Sequence, residues 1–274
     1  MEVIDIIKDA FEFPSKDMRT LLIYIVLSLL TGAFSLGGVL MYGLGFYKSE
    51  LFLWGGLALI IAMVIAWIMY GYSISVIKSG IELDDTVPEF NWWDNFITGF
   101  NNFIVTIVYF IIPAFIVAVI GIITDIYGNM MTIIQGIYLN AFGSYVGAST
   151  IASDAIAQAM VNLIISLSIT ITVAIILFII FSFLQTMAQA RLANTGSLSE
   201  ALNITEAAKD IMRIGVGKVI ILILLIIIVV GIVHIILSAI FSIIPILSFI
   251  SLIVTPYLTL FAQRAVGLLY SDIA

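Results

Sequence analysis

Charged positions are sparse along the chain and divide it into long apolar runs. Residues 20–47, 51–77, 95–124, 155–190 and 219–263 contain no Asp, Glu, Lys or Arg. Each run exceeds the ~20 residues that cross a ~30 Å hydrocarbon core. Ser242 and Pro245 interrupt the last one. Proline starts a helix well and interrupts one badly, so two helices joined by a tight turn are expected there. The pattern therefore predicts six spans, at 20–46, 51–77, 100–123, 160–188, 219–241 and 245–268. The stretch 126–153 is also uncharged, but Gly, Ser, Thr, Asn and Gln supply 12 of its 28 residues.

Basic residues decide whether that stretch crosses. With six spans and a cytoplasmic N-terminus, Lys48 alone among the 10 basic residues faces outward. A seventh span would move Arg191, Lys209, Arg213, Lys218 and Arg264 to the outside. The positive-inside bias selects six spans with both termini cytoplasmic. Residues 126–153 then lie in or on the outer interface, where Tyr127, Tyr138 and Tyr145 suit the headgroup level.

Composition agrees. Of 274 residues, 63% are hydrophobic and 10% charged, far from a water-soluble domain. The fold class expected is all-α, a polytopic transmembrane helix bundle and a single membrane domain over 1–274. The chain has no Cys and one His, which excludes disulfides, thiolate chemistry and Cys- or His-rich metal sites. No metal and no cofactor are expected. The net charge of −7 argues against nucleic acid as a partner. Residues 1–12 are mixed in charge and lack the apolar core of a cleaved signal peptide.

Short amphipathic segments precede each pair of spans. In the first, Val3, Ile6, Ile7, Ala10 and Phe11 share a helical face opposite Glu2, Asp5, Lys8, Asp9 and Glu12; Pro14 ends it, with Ser15 as a candidate cap for the first span. In the second, Asn91 can cap a helix striped by Trp92, Trp93, Phe96, Ile97 and Phe100. In the third, Ser197 and Glu200 form a capping box ahead of Leu198, Ala201, Leu202, Ala208, Ile211 and Met212. Such helices lie in the interface plane with the apolar side in lipid. The arrangement reads as three units of in-plane helix plus hairpin, at 1–80, 81–190 (with the outer segment 126–153) and 191–274. Any hairpin chain with inward basic residues shares part of this look.

Several stretches carry a family resemblance. They are Ala10-Phe11-Glu12-Phe13-Pro14-Ser15-Lys16-Asp17, Gly71-Tyr72 with Val76-Ile77-Lys78-Ser79-Gly80, Val87-Pro88-Glu89-Phe90-Asn91-Trp92-Trp93-Asp94-Asn95-Phe96 with Gly99-Phe100, and Gly196-Ser197-Leu198-Ser199-Glu200-Ala201-Leu202. On these the chain resembles an archaeal membrane family, the domain-of-unknown-function family four-thousand-and-thirteen. The Pro-Glu-Phe-x-x-Trp element is the most specific part. The resemblance implies a multi-pass plasma-membrane protein and supplies no activity or catalytic residues.

Candidate binding residues are few. His234 falls in the fifth span, where it can relay protons, contact a ligand or bond a neighbouring helix. Gln185 and Gln189, at i, i+4 near the inner end of the fourth span, can line an inward-facing polar pocket with Gln263 and Arg264 for an anionic headgroup or solute. The plainer alternative is interhelical hydrogen bonding and a topology-setting arginine. Trp92 and Trp93 read as an interfacial anchor. Asp125 and Asp154 mark where the chain meets water, or pair. The Gly32, Gly37, Gly38, Gly43 and Gly45 run permits close helix approach, and Pro113 and Pro256 can kink their spans. The expected function is a non-enzymatic scaffold, assembly or lipid-interacting membrane component, with membrane lipids as partners and protein partners or homo-oligomers left open. The alternative is a transporter or permease for a small or lipid-like solute.

Overall fold

The computed structural model describes residues 1–146 and 153–274, the side chains of 143–146 apart. The part of the outer-segment expectation that falls on 147–152, and the placement of the Tyr145 ring, lie outside the described residues. The described residues are helical throughout their ordered elements. They are α1 (Val3–Glu12), α2 (Met18–Leu44), α3 (Glu50–Ile81), α4 (Trp92–Ile123), α5 (Ile126–Val146), α6 (Ser153–Thr195), α7 (Leu198–Ala201), α8 (Ile204–Ile214), α9 (Val216–Ile243) and α10 (Ser251–Tyr270). A 3-10 turn, Phe13–Lys16, links α1 to α2, and another, Pro245–Ile250, links α9 to α10. Six helices are long and apolar enough to cross a membrane: α2, α3, α4, α6, α9, and α10 with the turn before it. The protein is an all-helical, multi-pass membrane bundle.

The element boundaries depart from expectation where no residue forces a break. Asn91 does cap, its Oδ1 accepting the Asp94 N–H at 3.4 Å. Nothing between Trp92 and Phe100 then stops the helix, so the second amphipathic segment is the first turns of α4 rather than a separate element. Residues 153–195 likewise form one helix of 43 residues, longer than a ~30 Å core requires. The third segment does break, because Asn203 caps a fresh helix by accepting the Glu206 N–H. The cap of α2 is Asp17, whose carboxylate accepts the Arg19 N–H at 3.0 Å, while the Ser15 hydroxyl donates back to the Glu12 carbonyl. Pro113 and Pro256 both sit inside unbroken helices.

The chain divides into two compact units, Met1–Thr106 with Leu184–Ala274, and Ile107–Phe183. In the first, α2 and α3 form a hairpin, α10 lies against both, and α1 rests on α10 and α9. Ile6 and Ala10 are fully buried in that contact, so the inner stripe of α1 is covered by protein. Backbone-to-backbone approach occurs at glycines. A Cβ on Gly71 would lie 1.7 Å from the Asn95 carbonyl oxygen, and one on Gly99 would lie 1.6 Å from that of Trp67. Gly267 meets the Ile77 carbonyl in the same way, at 2.2 Å. Of the glycine run in α2, Gly38 faces Gly55 and Leu59, whereas Gly32, Gly37 and Gly43 meet nothing within 4 Å.

In the second unit, Asp125 turns the chain with φ +53° and its Oδ1 accepts the Gly128 N–H at the start of α5. The Ser166 hydroxyl donates to the Thr124 carbonyl at 2.6 Å, and Phe110 stacks on Phe178.

Candidate functional site

The chain motifs singled out in the sequence converge on one end of α3. Tyr72 is fully buried; its hydroxyl donates to the Pro88 carbonyl at 3.3 Å and its ring stacks on Phe90 at 4.9 Å. Pro88-Glu89-Phe90 is thereby held on the same helix that admits α4 at Gly71. Tyr72 joins Phe13, Leu21, Tyr24, Ile25, Val76 and Leu260 in a buried apolar cluster.

Arg264 roofs that cluster at 1% exposure, its guanidinium 4.2 Å from the Phe13 ring centre. Nε donates to Asp9 at 3.1 Å. Nη1 donates to the Asp84 carbonyl at 2.7 Å and to Ser79 Oγ at 3.3 Å, and Nη2 reaches Asp85 at 3.4 Å. One side chain of α10 thus ties down α1, the end of α3 and the segment after it. The planar fork of arginine makes this possible, since its five donors diverge at fixed angles.

A second knot repeats the scheme. Arg191, near the end of α6, donates to Asp210 and to Glu200, both at 2.7 Å. Asp210 is 1% exposed and also accepts from the Tyr270 hydroxyl at 2.8 Å and from Arg213 at 3.1 Å. Asp9 and Asp210 each stand seventh in their helices, within Asp5-Ile6-Ile7-Lys8-Asp9 and Glu206-Ala207-Ala208-Lys209-Asp210. Those two pentads, alike in register, are a signal in the sequence for the two acids, though not for the arginines they meet.

The glutamines are engaged inside the protein. Gln185 donates to Thr106 Oγ1 at 3.0 Å and Gln189 to Asn102 Oδ1 at 3.1 Å, each tying α6 to α4. Arg264 bonds elsewhere, to Asp9, Ser79, Asp84 and Asp85. His234 and Gln263 do come together, with Val230, Thr255, Leu258, Thr259 and Ala262, in a groove of about 250 Å³ between α9 and α10. His234 is exposed there, and Nδ1 pairs with the Val230 carbonyl at 2.8 Å. Trp92 and Trp93 are exposed at the start of α4, Trp92 edge-on to Phe90 and Trp93 stacked on Phe96.

At the chain ends, the Asp272 carboxylate meets Lys218 and, at 3.3 Å, the N-terminal ammonium. Partial burial opposes ionisation of Asp272, but these two cations hold its carboxyl below the usual carboxylate range. The hydrogen bond from Lys209 does the same for Glu206.

Residues 54–242 match a family described as "Protein of unknown function (DUF4013)". The chain belongs to the DUF4013 family. The matched segment includes the Gly71–Tyr72 and Pro88–Trp93 elements and the Arg191–Asp210 knot, and leaves Asp9 and Arg264 outside. No curated protein matches this DUF4013 chain, and no solved structure does.

Proposed function

We propose that this protein is a non-enzymatic membrane scaffold or assembly component in contact with lipid, set in the plasma membrane with both termini cytoplasmic. One observation carries the reading: Arg264, Arg191, Gln185 and Gln189, the polar groups at the inner ends of the spans, are locked into internal bonds. Arg264 and Arg191 each hold an amphipathic helix, α1 and α8, against the ends of the spans, and Gln185 and Gln189 join two spans to each other. A buried ion pair costs several kcal/mol to open, so such clamps favour one fixed arrangement over alternating ones. The exposed Trp92 and Trp93 supply an anchor at headgroup depth.

The permease reading keeps one supporting observation, the groove of His234 and Gln263 beside the Pro256-bearing helix. The chain has no cysteine, so spin labels can be placed at will. Labels at Ile4→Cys and Met212→Cys, read by pulsed electron resonance in lipid nanodiscs, are expected to give one narrow distance. Two interconverting distances would replace the scaffold by a carrier.

A further inference from the structure

A pocket of about 300 Å³ opens between α3, α4 and the end of α6, wholly within the segment that matches the family. Ser75 and Lys78 come from α3, Thr98 and Asn101 from α4, and residues 192–196 close the wall. The side chains of Thr98, Asn101 and Asn194 make no hydrogen bond to a described residue, and the Lys78 ammonium stands 3.8 Å from Glu82. Behind Ser75 lies Asn95, 3% exposed. Its Oδ1 accepts from the Ser75 hydroxyl at 3.4 Å, and its Nδ2 has no partner among the described residues.

The end of α6 adds acceptors. The Gly196 N–H bonds the Leu192 carbonyl, but the Ser197 N–H turns to the Thr195 hydroxyl at 3.2 Å. The carbonyls of Ala193, Asn194 and Thr195 therefore close the helix without a backbone donor, at the negative end of its dipole. The pocket thus offers donors (the Asn amides, Lys78) and acceptors (the carbonyls, Thr98) side by side. An anion would meet the bare carbonyls, and a cation would meet Lys78. A group of neighbouring hydroxyls, each both donor and acceptor, satisfies both. The pocket sits where the apolar runs of α3 and α6 give way to Lys78 and Arg191, the depth of lipid headgroups, and Ile97 and Phe100 of α4 are exposed alongside.

We propose that this pocket binds the hydroxyl-rich headgroup, glycerol or sugar, of a neutral membrane lipid. The inference rests on the lipid-contacting part of the function proposed above and names its ligand. The test places the protein in phosphatidylcholine nanodiscs, whose headgroup has no hydroxyl, with and without added monoolein or monoglucosyl diacylglycerol. Thermal unfolding is the readout, with free glucose and free glycerol at matched concentration as controls. At least one of the two lipids is expected to raise Tm by about 5 °C, the shift of a site held near hundredfold excess over its Kd in a chain of this size. Asn101→Leu and the exposed Asn194→Leu are expected to abolish the shift, the second without disturbing packing. No rise with either lipid, or an equal rise in both variants, overturns the site. A full shift from the free polyols overturns the lipid source. Two distances in the spin-label experiment with the lipid shift intact would remove the scaffold and leave the site standing.

Discussion

At the scale of single residues, the structure turns on a few side chains whose partners are remote in sequence. Arg264 bonds Asp9 across 255 positions and Asp84 across 180. Its basic character and its place at a span end were legible, and they suggested a ligand pocket or a topological marker. Its burial was not, because hydropathy reports how apolar a stretch is and says nothing of which distant acid folds over it. Removing one member of a buried pair strands the other, so Arg264→Leu is expected to cost about 3 kcal/mol in detergent unfolding titrations. Arg264→Lys, which keeps the charge but loses the fork, should cost less. Asp9→Asn should cost least, since Asp9 is partly exposed and Arg264 keeps Asp85. The glycines sort the same way. Their abundance in α2 was legible, but the contacts that need the missing Cβ are largely at Gly71, Gly99 and Gly267. Gly99→Ala is expected to destabilise by at least about 2 kcal/mol, whereas Gly32→Ala, with nothing within 4 Å, should be neutral or slightly stabilising, both read by thermal unfolding.

At the scale of elements, the spans were legible because charge and apolar length mark them independently of tertiary contacts. The amphipathic segments were legible as faces but not as separate helices. A helix continues through Trp92–Phe100 because no residue there prefers to stop it, and it breaks at Leu202–Asn203 because Asn203 competes for the backbone as a cap. The α1 face also reads as lipid-facing on pattern alone, whereas its Ile6 and Ala10 are buried in protein; of the α8 face, Met212 stays exposed. What fastens the chain ends is electrostatic and so depends on pH. The Asp272 carboxyl is lowered in the folded state, so its contribution is fully present above the unfolded value, near pH 4, and is lost as pH falls through the lower folded value. Glu206 follows the same sign. Protection of the first turn of α1 against hydrogen exchange, taken relative to the intrinsic amide rate at each pH, is therefore expected to be flat from about pH 5 to 7 and to fall below about pH 4. Lys218→Gln should flatten that acid response, because Asp272 then loses its nearest cation.

At the scale of the whole molecule, the decisive physics is the distribution of basic residues about the apolar runs. The six apolar helices are borne out, and α5, with its glycine, serine, asparagine and glutamine, is not among them. The positive-inside argument predicts which way up the bundle sits, and labelling at three positions tests it. A chain with six spans and a cytoplasmic N-terminus carries α8 inward; a seventh span between α4 and α6 would carry it outward. Tyr127 lies outside in either case and serves as the positive control. In intact cells an impermeant maleimide should therefore label Tyr127→Cys and spare both Ile4→Cys and Met212→Cys, and permeabilisation should expose the latter two. The native sequence contributes no background, having no cysteine. Labelling of Met212→Cys before permeabilisation, with Ile4→Cys still protected, would require a seventh crossing and would place Lys209, Arg213 and Lys218 outside. It would also carry Arg264 outside and part it from Asp9 and Asp84, which stay inside in either case. Both knots lie in one compact unit, with Tyr270 of α10 bonded to Asp210 only six residues beyond Arg264. A side chain cannot bridge a ~30 Å core, so the bonds of Arg264 to Asp9 and Asp84 and the charge rule point to the same answer.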